Sequence, residues 1–177
     1  MHGFSFRHVG DRARTLAYAW NAEPGGHMRY VVVEWQDRGT LVHDPSAYLA
    51  ALPSLQDALP PGARAHACDP QHYDFSAARC VKDLRLTAVP PTDGVPASLT
   101  VRFEPNPWKH AEGLTIRYRG VASVRVDTDG GEHFDVADAN SLRLDEVLPH
   151  QVGCSHELRF VEGTVRILCE DFEACWE

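Results

Sequence analysis

The chain has 177 residues, 44% of them hydrophobic and 24% charged, a balance that excludes wholesale disorder, collagen and coiled coil. Its formal net charge of -8 argues against binding a phosphate backbone, which needs clustered Lys and Arg, so no nucleic-acid partner is expected. No apolar run reaches the roughly 18 residues of a membrane span, and the opening MHGFSFRHVGDRAR has no apolar signal core, so no membrane partner and a cytoplasmic location are expected.

In chain order, residues 1–27 read as an extension, with a short helix over 11–20. NAEPGGH is turn-rich, and Met28, which opens the first strong strand, is a possible natural start. RYVVVEW (29–35) is β-branched and aromatic and predicts a strand. Asp44 is a natural N-cap, Pro45 suits the first helical position, and Tyr48, Leu49 and Leu52 follow at helical spacing. Pro53 is expected to interrupt this helix, Ser54 to recap it, and Pro60-Pro61-Gly62 to stop it. ARAHAC (63–68) predicts a second strand, which makes residues 28–69 a small β-α-β unit.

From about residue 70 the pattern changes to short alternating runs separated by turn residues. The runs are VKDLRLTAV (81–89), ASLTVRF (97–103), LTIRYRGVASVRV (114–126), EHFDVA (132–137), CSHELRF (154–160) and TVRILCE (164–170). They predict an antiparallel β domain over 70–177, a sandwich or partly open barrel, and an α+β fold for the whole chain. In 114–126 the even-numbered apolar phase persists through Gly120, which marks a bend or a close backbone approach rather than a register shift. With Glu162-Gly163 as a two-residue turn, the last hairpin places Phe160 opposite Val165, Leu158 opposite Ile167 and His156 opposite Cys169 on a core face. Glu157, Arg159, Thr164, Arg166 and Glu170 then face solvent.

Five cysteines, with no CxxC, read as reduced thiols and mostly core filler. His150, Cys154, His156, Cys169 and Cys175 carry the ligand types zinc prefers, and the hairpin register brings His156 beside Cys169. The knuckle spacing is absent and Leu158, Phe160 and Ile167 continue the same face, so a buried, hydrogen-bonded histidine explains the pattern without metal. An inward Cys169 is also unreachable as a nucleophile. Asp127-Thr128-Asp129-Gly130 begins like a calcium loop but lacks its continuation, and reads as a hairpin turn.

His72, Tyr73 and Asp74, with His66, Asp69 and His43-Asp44, are candidates to line a cleft between the two units; Tyr73 and Phe75 anchoring a linker is the competing reading. Asp138, Asp145, Glu146, Asp171, Phe172, Glu173 and Trp176 interleave carboxylates with aromatics, a composition suited to holding a basic protein partner. The competing reading has Phe172 and Trp176 closing the core.

HYDF…CVKDLRL, SLTVRF, LTIRYRGVASVRVD and GCSHELRF-EGTVRILCEDF together resemble small β-rich immunity proteins of bacterial polymorphic toxin systems, over about residues 70–175. The resemblance implies a non-enzymatic protein that binds and neutralises a toxin domain, with no cofactor and no fixed functional residues. The rival expectations are a small enzyme or metal-binding protein using a His/Cys/Asp cluster, and a structural subunit of a larger assembly.

Overall fold

The computed structural model describes residues 28–36, 39–88, 97–128, 141–161 and 163–177. The expected helix over 11–20, the strand over 132–137, the turn at Asp129-Gly130 and the candidate Asp138 lie outside them. The fold is α+β and rich in antiparallel strands, as the alternation predicts, and among the described residues no helix is long and apolar enough to cross a membrane.

The chain opens with a hairpin, β1 (Val32–Gln36) and β2 (Thr40–Asp44), joined through Gly39. Helix α1 (Ser46–Leu55) follows. The Asp44 carboxylate accepts the Ser46 N–H at 2.8 Å, satisfying a helical donor that has no partner within the helix. Tyr48 and Leu52 form the buried stripe. Pro53 lies inside the helix rather than ending it, and Ser54 Oγ donates back to the Ala51 carbonyl instead of capping a new start.

A 3-10 turn (Gln56–Ala58) leads to Pro60, and Pro61 opens α2 (Pro61–Ala67). The segment expected as a second strand is therefore a helix. Pro61 supplies a preset helical φ at the first position, and Ala63, His66 and Ala67 recur at helical spacing on the buried side. The N-terminal unit is ββαα, not β-α-β.

Eight further strands form two four-stranded sheets: β3 (Arg85–Ala88), β4 (Ala97–Glu104), β5 (Leu114–Val121), β6 (Ser123–Thr128), β7 (Leu144–His150), β8 (Gly153–Arg159), β9 (Gly163–Cys169) and β10 (Asp171–Trp176). Their orders are β10-β5-β4-β3 and β6-β9-β8-β7, and neither closes into a barrel. The chain passes from one sheet to the other twice at one corner, from β5 to β6 and from β9 to β10. There Glu170 N–H donates to the Arg119 and Gly120 carbonyls, and Ala122 N–H donates to Leu168. Gly120 has φ +58°, and a Cβ on it would lie 2.4 Å from the Glu170 side chain. The close approach is to a side chain rather than a backbone, and the register of β5 against β4 does shift here, since Leu99 pairs with Tyr118 but Ala97 with Val121, contrary to the expectation of an unbroken register.

The last hairpin keeps its expected faces but not its expected pairs. Leu158 opposes Val165, His156 opposes Ile167 and Cys154 opposes Cys169, two residues away from the predicted register. The cause is Gly163. It pairs with Thr128 in the ladder, and its carbonyl accepts Phe160 N–H at 2.8 Å, so the connection closes between Phe160 and Gly163. A two-residue slip preserves which side chains face inward.

The opposite face is not all solvated. Glu157 and Thr164 are buried, and Glu157 pairs with Arg166 at 2.9 Å. Glu146, its neighbour across the strands, accepts the backbone N–H groups of Arg29, Tyr30 and Val31 at 2.7 to 2.9 Å. That anchors the chain ahead of β1 over this face.

Residues of the two expected units share one core. Val31, Tyr48, Leu59 and Ala63 belong to the same buried cluster as Leu99, Ile116, Leu158 and Phe172. Helix α2 packs against β10 and β7, the edge strands of the two sheets, and so sits across the open side of the sandwich. Its first turn lies against β10, where a Cβ on Gly62 would fall 1.9 Å from the Phe172 carbonyl oxygen. Only glycine permits that approach.

Candidate functional site

Helix α2 brings His66, in its last turn, against the inner face of β7. Asp145 lies on that face because it pairs with Leu158, and Val147 beside it pairs with His156. The chain after α2 turns back, and His72 N–H donates to the Asp69 carbonyl. Three imidazoles therefore meet one carboxylate. His72 Nε2 lies 2.6 Å from Asp145 Oδ1, while His156 Nε2 and His66 Nε2 lie 2.8 and 3.1 Å from Oδ2. All four residues are buried.

The surroundings fix the rings. His72 Nδ1 is 3.0 Å from the His66 carbonyl, and Tyr118 Oη is 2.8 Å from His156 Nδ1. Phe172 stacks on His156 with centroids 4.9 Å apart. Tyr73 Oη donates to the Asp145 backbone carbonyl, and Tyr48 Oη donates to that of Val147 at 2.6 Å.

These contacts assign the protons. A carbonyl only accepts, so His72 Nδ1 carries a hydrogen. Its Nε2 faces a carboxylate, so an ionised Asp145 requires a hydrogen there too, and His72 is an imidazolium. Burial would push Asp145 up, but the His72 charge and the three ring donors outweigh it and hold the carboxyl well below its usual range. Burial would likewise lower His72; the Asp145 charge and its hydrogen bonds win and raise it.

At His66 the Asp145 hydrogen bond and charge are outweighed. Burial, with the His72 charge adding to it, lowers its pKa from 6.5 to about 4, so it is a neutral donor. Burial also raises Tyr118 well above the usual phenol, keeping its proton for His156 Nδ1. One carboxylate and one imidazolium thus balance, with the neutral His66 ring beside them. Breaking such a buried pair from one side costs about 3–5 kcal/mol.

The candidates from sequence scatter in an informative way. Four of the carboxylate and aromatic residues assigned to a partner surface are not on a surface. Asp145 is the centre of the histidine cluster and Glu146 holds residues 29–31. Asp171 is buried because its carboxylate accepts the Gly62 and Ala63 N–H groups at the start of α2, at 3.2 and 2.9 Å, and meets Arg119 at 3.2 Å. Phe172 is fully buried, Glu173 is exposed, and Trp176 is partly buried near His110.

Of the cleft residues, His72 and Tyr73 are sealed in the core, and Asp74 is exposed, capping Ser76. Phe75 is 40% exposed, so only Tyr73 anchors the linker. The proposed His/Cys metal set separates. His150 is exposed at the end of β7, where its ring accepts Val152 N–H. Cys154 and Cys169 face each other as free thiols with sulfurs 3.6 Å apart, and His156 turns to Asp145 instead. The contact between the two thiols, with burial, raises Cys154 and keeps it protonated, which does not suit a nucleophile. The sequence reading placed His66 near His72 but missed Asp145 as their common partner.

Searches against family models, curated proteins and solved structures return no match to this chain.

The protonation pattern predicts a stability maximum near pH 6.5. His66 is lowered on folding, so the unfolded chain binds the extra proton below 6.5, and stability falls as pH drops from 6.5 toward about 4. The limb amounts to about 3 kcal/mol. His72 is raised, so its contribution is complete below 6.5 and fades as pH rises through its folded value. Denaturant unfolding across pH 4 to 8 measures both limbs, and His66→Gln is expected to flatten the acid one while leaving the alkaline limb in place.

Proposed function

We propose that this chain is a non-catalytic protein-binding module, an immunity-type inhibitor that holds a basic toxin domain in the cytoplasm. The observation that carries this reading is Trp35, 60% exposed on the β1–β2 ribbon. Trp35 shares a face with Val33, Leu41 and His43, all half-buried, and it stands nearest the turn. A tryptophan left in water forgoes about 2–3 kcal/mol of burial, and tryptophan is among the residues that most often dominate interfaces. Glu34 is exposed beside it, and the chain's charge of -8 suits a basic partner by favouring encounter. The sealed histidine cluster supports the non-catalytic part, because its acid and bases are spent on one another and closed to a substrate.

The test is co-expression with basic domains encoded beside this gene, scored by growth rescue, with titration calorimetry of the purified pair at low and high salt. The expected result is rescue, binding that weakens with salt, and a loss of about 30-fold in affinity for Trp35→Ala. Absence of any basic partner, or an affinity unchanged by Trp35→Ala, contradicts the reading.

One observation favours a second reading, a metal-binding protein. His66, Asp145 and His156 offer ligand atoms that all lie within 4.8 Å of one another. The hydrogen bonds already account for these positions, since each Nε2 sits at donor distance from the carboxylate. Elemental analysis of protein made without a His tag separates the two. No stoichiometric metal is expected; one zinc per chain, lost in His66→Ala, would reverse the order.

A further inference from the structure

Away from the histidine cluster, three stretches of chain bring cations together around Asp83. Lys82 Nζ lies 2.8 Å from both Asp83 carboxylate oxygens. Lys109 Nζ reaches in from the loop after β4, donating to the Lys82 carbonyl at 3.1 Å and approaching Asp83 at 3.8 Å. Arg143 enters from the stretch before β7, with Nη1 3.6 Å from Asp83.

Three features set this cluster apart from a solvated charge group. The side chains of Lys82, Lys109 and Arg143 are only 20%, 16% and 22% exposed, although lysine and arginine normally reach water. Three cations face one carboxylate, leaving two positive charges in a chain that is strongly negative as a whole; exposed Asp74 acts on Lys109 only from longer range. Asp83 itself holds φ +78°, a conformation costly for a residue with a side chain and one that clusters at binding sites.

One buried atom says what is wanted. Arg143 Nε is a donor with no hydrogen-bond partner. A ligand that satisfies it needs acceptor oxygens and negative charge to meet the two free positive ones. We propose that Lys82, Lys109 and Arg143 form a site for a phosphate group, either free phosphate or a phosphomonoester. Oxygens of the phosphate accept from Arg143 Nε and the two ammonium groups. Guanidinium and ammonium groups at one locus are a common means of holding phosphate. The site is independent of the protein-binding reading, since Trp35 takes no part in it.

Titration calorimetry at neutral pH tests it, with inorganic phosphate, phosphoserine and sulfate at matched ionic strength. Saturable phosphate binding is expected, with sulfate competing for the same site. Arg143→Gln is expected to weaken phosphate binding by about tenfold or more, with circular dichroism confirming that the variant is folded. Lys109→Met carries the same test if Arg143→Gln does not fold. Binding of phosphate alone identifies the free ion, and equal binding of phosphoserine identifies a phosphoryl group on a larger molecule; both uphold the site. No saturable phosphate binding, or phosphate affinity unchanged in a folded variant, overturns it.

Discussion

Everything at the centre of this fold depends on one buried carboxylate. Asp145 lies on the inner face of an edge strand, where an apolar residue would ordinarily pack. An isolated charge there would be prohibitively costly. The fold offsets that cost with three imidazole donors, one of them positively charged, drawn from helix α2, the turn after it and the neighbouring strand β8. The same contact that satisfies the charge therefore ties the helical segment to the sheets. Polar groups this well matched specify an arrangement more sharply than apolar packing does, because a misplaced helix would strand the charge.

Asp171 repeats the device at the other edge. Its carboxylate leaves β10 to meet the first N–H groups of α2, and Gly62 allows the helix to come close enough. Glu146 uses the outer face of β7 to hold the backbone at residues 29–31. Much of the acidic character that a sequence reader assigns to a partner surface is thus spent inside the molecule. Among the described residues, Trp35, Glu34, Glu173 and Trp108 in its proline-flanked loop remain exposed.

The two-residue period made β3, β4, β5, β6, β8 and β9 legible, along with the inward face of the last hairpin, but not β7, β10 or the register shift beside Gly120. The hairpin register was not legible, because Glu162-Gly163 reads as well as a turn as Gly163 does as a ladder residue, and only the pairing with β6 decides. Segment 63–68 was misread because a seven-residue helix beginning at Pro61 has too few turns to show a period. Asp145 was hidden for a different reason. In LDEVLPH the apolar residues fall on both phases, Leu144 and Leu148 on one and Val147 on the other, so alternation cannot say which carboxylate points inward. Its histidine partners lie 11 to 79 residues away and no local pattern announces them.

The measurement that bears most directly on this account is nitrogen-15 NMR of the histidine side chains at neutral pH, with His72 assigned by substitution. Protonation of both His72 ring nitrogens, with His66 carrying a hydrogen on Nε2 alone, is the predicted result, since only that distribution balances Asp145 and fills every donor position. A neutral His72 would contradict it, and would mean that the carboxylate at the centre of the fold is held in some other way.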